Sequence, residues 1–175
     1  MDTAGRVEEE ATVTLKQRVM GMFCAHHMGD ALGAPHEFRC NKDTVYTGKL
    51  EIQPYRRRDA RYFAADNREV IQPIGTVTDD TQMTVALLKT IIKEDGAYDS
   101  RSAILAYSAW THSGAIDMGT NTRFIFANKT VKGYDLRIEK LRQEVASGAR
   151  QISLANGALM RCTPLALLKD WKGGG

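Results

Sequence analysis

The stretch Gly75-Thr76-Val77-Thr78-Asp79-Asp80-Thr81-Gln82-Met83-Thr84-Val85-Ala86-Leu87 decides what kind of fold this chain can build. Met83, Ala86, Leu87, Thr90 and Ile91 recur at i, i+3, i+4, i+7 and i+8, the spacing of one buried helix face. Leu88 and Ile92 widen that face and predict burial on more than one side. The oxygen-rich run in front of it has two readings. In the first, Thr78 or Asp79 caps the helix while the acids complement its dipole. In the second, a hydroxyl and two adjacent carboxylates form part of a hard-cation site, with further oxygens from elsewhere in the chain or from water.

Helical signals continue on both sides. Residues 15–32 lack proline, and Gly21, Ala25, Gly29 and Gly33 fall on one helix face, open to close approach by another backbone. Pro35 cannot continue that helix, so the chain turns near Gly33-Ala34-Pro35. Residues 39–75 are irregular, with Arg56-Arg57-Arg58 read as a solvated loop and a faint strand signal at Val70-Ile71. Beyond the central helix, Asp99-Ser100 caps another, with Ala103, Ala106, Tyr107 and Trp110 inward. A short helix is expected over 123–130 and a longer one over 135–148, with Ile138, Leu141 and Val145 inward. Asn156-Gly157 then breaks the chain before a last helix over 158–168 that contains Pro164. The expectation is an all-α fold of about six helices, behind a polar acidic tail at residues 1–14.

Composition narrows the class. With 175 residues and 19.4 kDa there is room for one ordinary domain. Apolar residues at 43% and charged residues at 26% argue against disorder, collagen and coiled coil. Lys and Arg number 24 against 21 for Asp and Glu, and a net charge of +3 is too small to announce nucleic acid. No run has the length or apolarity to cross a bilayer, and Glu8-Glu9-Glu10 lie where a secretion signal needs an apolar core. Cys24, Cys40 and Cys162 are odd in number and far apart, which fits neither a disulfide framework nor a zinc site. A reduced, soluble, cytoplasmic protein is expected.

Three more segments carry chemistry. In Gly29-Asp30-Ala31-Leu32-Gly33-Ala34-Pro35-His36-Glu37-Phe38, Asp30 sits in the last turn of an apolar helix, where the dipole disfavours a carboxylate. Glu37 follows the turn and can point back toward whatever Asp30 faces. In Asp117-Met118-Gly119-Thr120-Asn121-Thr122-Arg123, a glycine beside small hydroxyl residues can offer backbone N–H groups to a phosphate. In Ala155-Asn156-Gly157-Ala158-Leu159-Met160-Arg161, an Asn-Gly turn opening into a helix leaves unpaired N–H groups as a second anion site. Taken singly, each has an ordinary structural explanation as a cap or a connection. Adjacent His26 and His27 diverge on a helix and do not chelate one metal.

Together, in this order, the four segments resemble the ADP-ribosylglycohydrolase family, the group that includes dinitrogenase-reductase-activating glycohydrolase. GDALGAPHEF at 29–38, GTVTDDTQMTVAL at 75–87, DMGTNTR at 117–123 and ANGALMRCTPLAL at 155–167 carry the likeness. The resemblance implies an all-α orthogonal helix array with a dinuclear metal centre, normally Mg²⁺ and sometimes Mn²⁺. It implies that Thr78, Asp79 and Asp80 ligate the metals and that Glu37 is the acid/base carboxylate. It further implies that Gly119, Asn156, Gly157 and Ala158 cradle a diphosphate. The substrate class it implies is an ADP-ribosylated protein or a small ADP-ribose conjugate, without nucleic acid or membrane. Family members carry a second acidic motif downstream, of the Asp-Asp-x-Asp-Thr kind, which this sequence lacks, so residues 15–175 read as the N-terminal part of such a domain. The expected metal centre is therefore incomplete. A non-catalytic ADP-ribose-binding or structural relative is the alternative.

Overall fold

Capping chemistry and apolar spacing together set where the helices begin and which faces they bury. The computed structural model describes residues 13–36, 55–58, 69–115 and 118–170. Among these are five α-helices: α1 (Leu15–Gly33), α2 (Asp79–Lys93), α3 (Ser100–Thr111), α4 (Thr120–Phe126) and α5 (Val131–Ala146). Short 3₁₀ helices occupy Ala34–His36, Asn156–Ala158 and Thr163–Leu167. The expected all-α class holds, with one small addition. β1 (Tyr55–Arg58) and β2 (Glu69–Gln72) form an antiparallel ribbon in which Tyr55 faces Gln72 and Arg58 faces Glu69. The arginine run read as loop is thus strand backbone, and the faint signal at Val70-Ile71 is real.

α1 begins at a capping box. The Gln17 amide donates to Thr14 Oγ1 at 3.3 Å, and the Thr14 amide donates to Gln17 Oε1 at 2.8 Å. The T-x-x-Q signature was available in the sequence and sets the helix start at the end of the expected tail. α3 begins as expected, with Asp99 accepting from the Ser102 amide at 2.6 Å. α4 and α5 both begin earlier than their periodicity suggests. Thr130, expected inside a helix, instead caps α5 by accepting from the Gly133 amide at 3.1 Å. That cap moves the start of α5 four residues upstream of the expected one, while α4 stops at Phe126.

The core lies where α2 packs on α3. Met83, Leu87 and Ile91 of α2 meet Ala103 and Tyr107 of α3 and Phe126 of α4. Tyr107 and Phe126 have ring centroids 5.1 Å apart, and Phe126 stacks on Tyr134 of α5 at 5.5 Å. Each fully buried side chain of this size contributes roughly 1.5–3 kcal/mol. Leu88 is half-buried, but Ile92 stands 68% exposed, so α2 buries a narrower face than expected. Ile138, Leu141 and Val145 of α5 are half-buried.

Two further expectations need correction. Among the described residues no other element brings an atom within 4 Å of a Cβ built on Gly21, Gly29 or Gly33, so the small-residue face of α1 meets no close backbone there. The last helix is not an α-helix either. Residues 158–168 fold as the end of one 3₁₀ turn and the whole of another, because Pro164 has no N–H to continue a ladder and sits in the second turn's first positions. This segment is held by ties to the rest of the fold. The Lys169 amide donates to the Gly96 carbonyl at 3.0 Å, and Lys169 pairs with Asp95. Gly96 has φ +84, and a Cβ there would lie 2.8 Å from Lys169 Cγ, so this position requires glycine.

No helix among the described residues is long and apolar enough to cross a membrane. Met83 is wholly buried at the centre of the core. Met83→Ala should cost about 3 kcal/mol through lost contacts and the remaining cavity, read as a lower urea midpoint with an unchanged slope.

Candidate functional site

A helix N-terminus leaves its first N–H groups without partners, and α2 obtains its partner from another helix. Thr78 occupies the cap position, yet its side chain makes no cap hydrogen bond. Asp30, from the last turn of α1, takes that role. Its Oδ2 accepts from the Thr78 amide at 2.9 Å and from the Thr81 amide at 3.0 Å, and its Oδ1 accepts from the Thr78 hydroxyl at 2.8 Å. The expected cap by Thr78 or Asp79 is therefore corrected: an ionised carboxylate is the stronger acceptor. The dipole of α2 also answers the puzzle of Asp30, since the positive end of one helix offsets the negative end of the other.

Thr78 is buried at 4% exposure, with Asp80 half-buried beside it. The Thr78 hydroxyl also lies 3.3 Å from Asp80 Oδ2, so the Asp30 and Asp80 carboxylates share one hydroxyl. Burial pushes the Asp80 carboxyl above the ordinary value, and the Asp30 charge pushes the same way. The Thr78 contact and the nearby His26 oppose them. Asp79 is half-buried in the same first turn.

An open cavity of roughly 360 Å³ lies against this cluster, lined by Ala25, His26, Gly29, Asp30, Asp80, Asn156, Leu159, Met160 and Thr163. It brings together three segments that are far apart in sequence. The fourth lies next to it. A Cβ built on Gly119 would stand 3.9 Å from Thr122 Oγ1, and one built on Gly157 would stand 3.6 Å from the same atom. Both glycines therefore approach the buried Thr122, and the Asn121 amide crosses to Ser153 Oγ at 2.6 Å.

Of the residues expected to act, Thr78 and Asp80 meet in one cluster, Asp80 and Asn156 line one cavity, and Gly119 and Gly157 both approach Thr122. Ala158 is exposed in the Asn156–Ala158 turn. Glu37 and Asp117 lie outside the described residues. The helix mouth expected here is a three-residue 3₁₀ turn, in which the Leu159 and Met160 amides donate to the Asn156 carbonyl at 2.7 and 3.0 Å. Sequence reasoning assigned no role to Arg161. Its guanidinium lies over Tyr107 at 4.6 Å and over Phe126 at 5.3 Å, anchoring the Asn156 segment in the core.

The donors suit a hard divalent cation. Hydroxyl and carboxylate oxygens are the right chemistry for such an ion. They are too few to fill an octahedral shell, and no cluster of three or more His, Cys, Asp or Glu suited to a metal occurs among the described residues.

With this geometry in place, the sequence comparison is direct. The chain belongs to the ADP-ribosylglycohydrolase family, whose model matches residues 11–172. A curated relative, the ADP-ribosyl-[dinitrogen reductase] glycohydrolase of Rhodospirillum rubrum, is 28% identical over 156 residues. That match covers 88% of this chain and 45% of the relative, so the chain spans about half the length of the protein it matches.

Asp30→Ala removes the acceptor for two amides and a hydroxyl, and should cost about 2 kcal/mol or more in urea unfolding, with Asp30→Asn costing less. Asp80 behaves in the opposite sense. Its folded-state pKa is raised, so its contribution to stability is fully present below the ordinary carboxylate value of 3.8 and is lost as pH rises through the folded value. Asp80→Asn should therefore be more stable than the parent at neutral pH without metal, and the difference should vanish in acid. Unfolding curves across pH test both the sign and the window.

Proposed function

We propose that this chain contributes one part of a metal-dependent active site that hydrolyses the glycosidic bond between ADP-ribose and a modified side chain or small conjugate. The observation carrying this reading is the convergence of Asp30, Asp80 and Asn156, from three separate segments, on one cavity beside the paired glycines. Asp30 holds the mouth of α2 in a single conformation, which sets Thr78 and Asp80 before any ligand arrives. Thr78, Asp79 and Asp80 would hold a divalent cation, Mg²⁺ or Mn²⁺. Bound there, such an ion supplies an oriented water of lowered pKa. The segment around Asn156 and the Gly119 loop lie where the diphosphate would be received. Glu37 accepts a proton from the attacking water or balances charge developing at the anomeric carbon. Water adds at that carbon as its bond to the modified nitrogen or oxygen breaks, which releases ADP-ribose.

Calorimetric titration of the chain should detect both Mg²⁺ and ADP-ribose. Asp79→Asn combined with Asp80→Asn should abolish Mg²⁺ binding and any metal-dependent hydrolysis. Glu37→Gln should slow hydrolysis by about a hundredfold or more while ADP-ribose still binds. Absence of binding by both ligands would overturn the proposal. ADP-ribose binding without release from a modified protein would instead identify a non-catalytic relative.

A further inference from the structure

His26 is unused by the chemistry proposed above, yet both of its ring nitrogens are engaged. Nε2 lies 3.1 Å from Thr84 Oγ1, on α2, and Nδ1 lies 3.3 Å from Thr163 Oγ1, at the start of the last 3₁₀ turn. Thr84 Oγ1 also reaches the Met160 carbonyl at 3.5 Å, and Thr84 is wholly buried. Each hydroxyl can donate to or accept from the ring nitrogen it faces, so either tautomer satisfies both contacts. One imidazole thus ties both ends of the stretch 160–163 to α1.

The residue between those ends is pulled the other way. Arg161 lies over Tyr107 and Phe126 and donates to Met83 Sδ at 3.5 Å. The turn is consequently clamped from two sides. Its position passes upstream to Asn156, whose carbonyl receives the Met160 amide at 3.0 Å and which lines the same cavity as Asp30 and Asp80.

We propose that His26 is a positioning residue: it staples the 160–163 turn to α1 and α2 and so sets the distance between the Asn156 wall and the acidic wall of the ligand cavity. The ligand concerned is the ADP-ribose moiety, and in that respect the inference rests on the glycohydrolase reading. His26 touches no reacting atom. Its effect is on where the receiving wall stands.

Titration calorimetry on the full chain, with ADP-ribose and with Mg²⁺ alone, separates this role from a purely structural one. His26→Leu should weaken ADP-ribose binding roughly tenfold while Mg²⁺ affinity stays within about twofold. His26→Gln keeps one donor and one acceptor and should recover most of the loss. Thr163→Val should share that loss, and the double variant His26→Leu/Thr163→Val should be no weaker than either alone. Unchanged ADP-ribose affinity in a folded His26→Leu would overturn the proposal, as would parallel loss of both ligands with a lowered Tm. Hydrogen exchange gives an independent reading. In His26→Leu the amides of Leu159, Met160 and Cys162 should open about tenfold more than those of α3, and equal exchange would overturn the staple. If the parent chain binds no ADP-ribose, the functional reading fails, and the staple is judged on exchange.

Discussion

A single carboxylate fixes how this fold and its site are joined. Asp30 ends one helix and begins another, accepting two amides and a hydroxyl from α2. The position is unfavourable for α1 alone and favourable only because the N-terminus of α2 meets it there. The Thr78 and Thr81 amides at the start of α2 find their acceptor on α1. The approach of α1 to α2 is therefore set by directed hydrogen bonds at the rim of the site, whereas α2 meets α3 through apolar packing. Displacing Asp30 would disturb the cap, the Thr78 hydroxyl and the charge on Asp80 at once.

The helical class was legible because its signal is periodic and local. α2 and α3 carry unbroken apolar stripes, and Asp99 announces a start within three residues of its target. Boundaries failed where a residue counted inside one helix caps the next, as Thr130 does, or where a proline interrupts a helical pattern, as Pro164 does. The site divided along the same line. Motif order brought Thr78, Asp79, Asp80, Gly119 and Asn156 into view. Asp30 gave only the hint of a charge at the wrong end of a helix, and its partners lie about fifty residues away, at 48 and 51 positions. His26 gave no hint, since its ties span 58 and 137 positions. Side-chain contacts of that range leave no mark on local spacing.

The aromatic core does more than exclude water. Tyr107, Phe126 and Tyr134 form a run of rings, and Arg161 lays its guanidinium on the first two. Burial, partly opposed by that same Arg161, lifts the Tyr107 hydroxyl to about 12. A cation held by ring faces keeps its charge without a buried counter-ion, whose desolvation would be costly. The arginine of the fourth motif is thereby spent on architecture.

The two walls of the cavity are built on unequal foundations. One rests on α2, fifteen residues with a continuous backbone ladder and a core of packed side chains beneath it. The other rests on 3₁₀ turns of three and five residues, where few ladder bonds exist and position depends on individual hooks. Stiffness is thus distributed unevenly around the opening. Local opening is therefore easier on the Asn156 side than along α2.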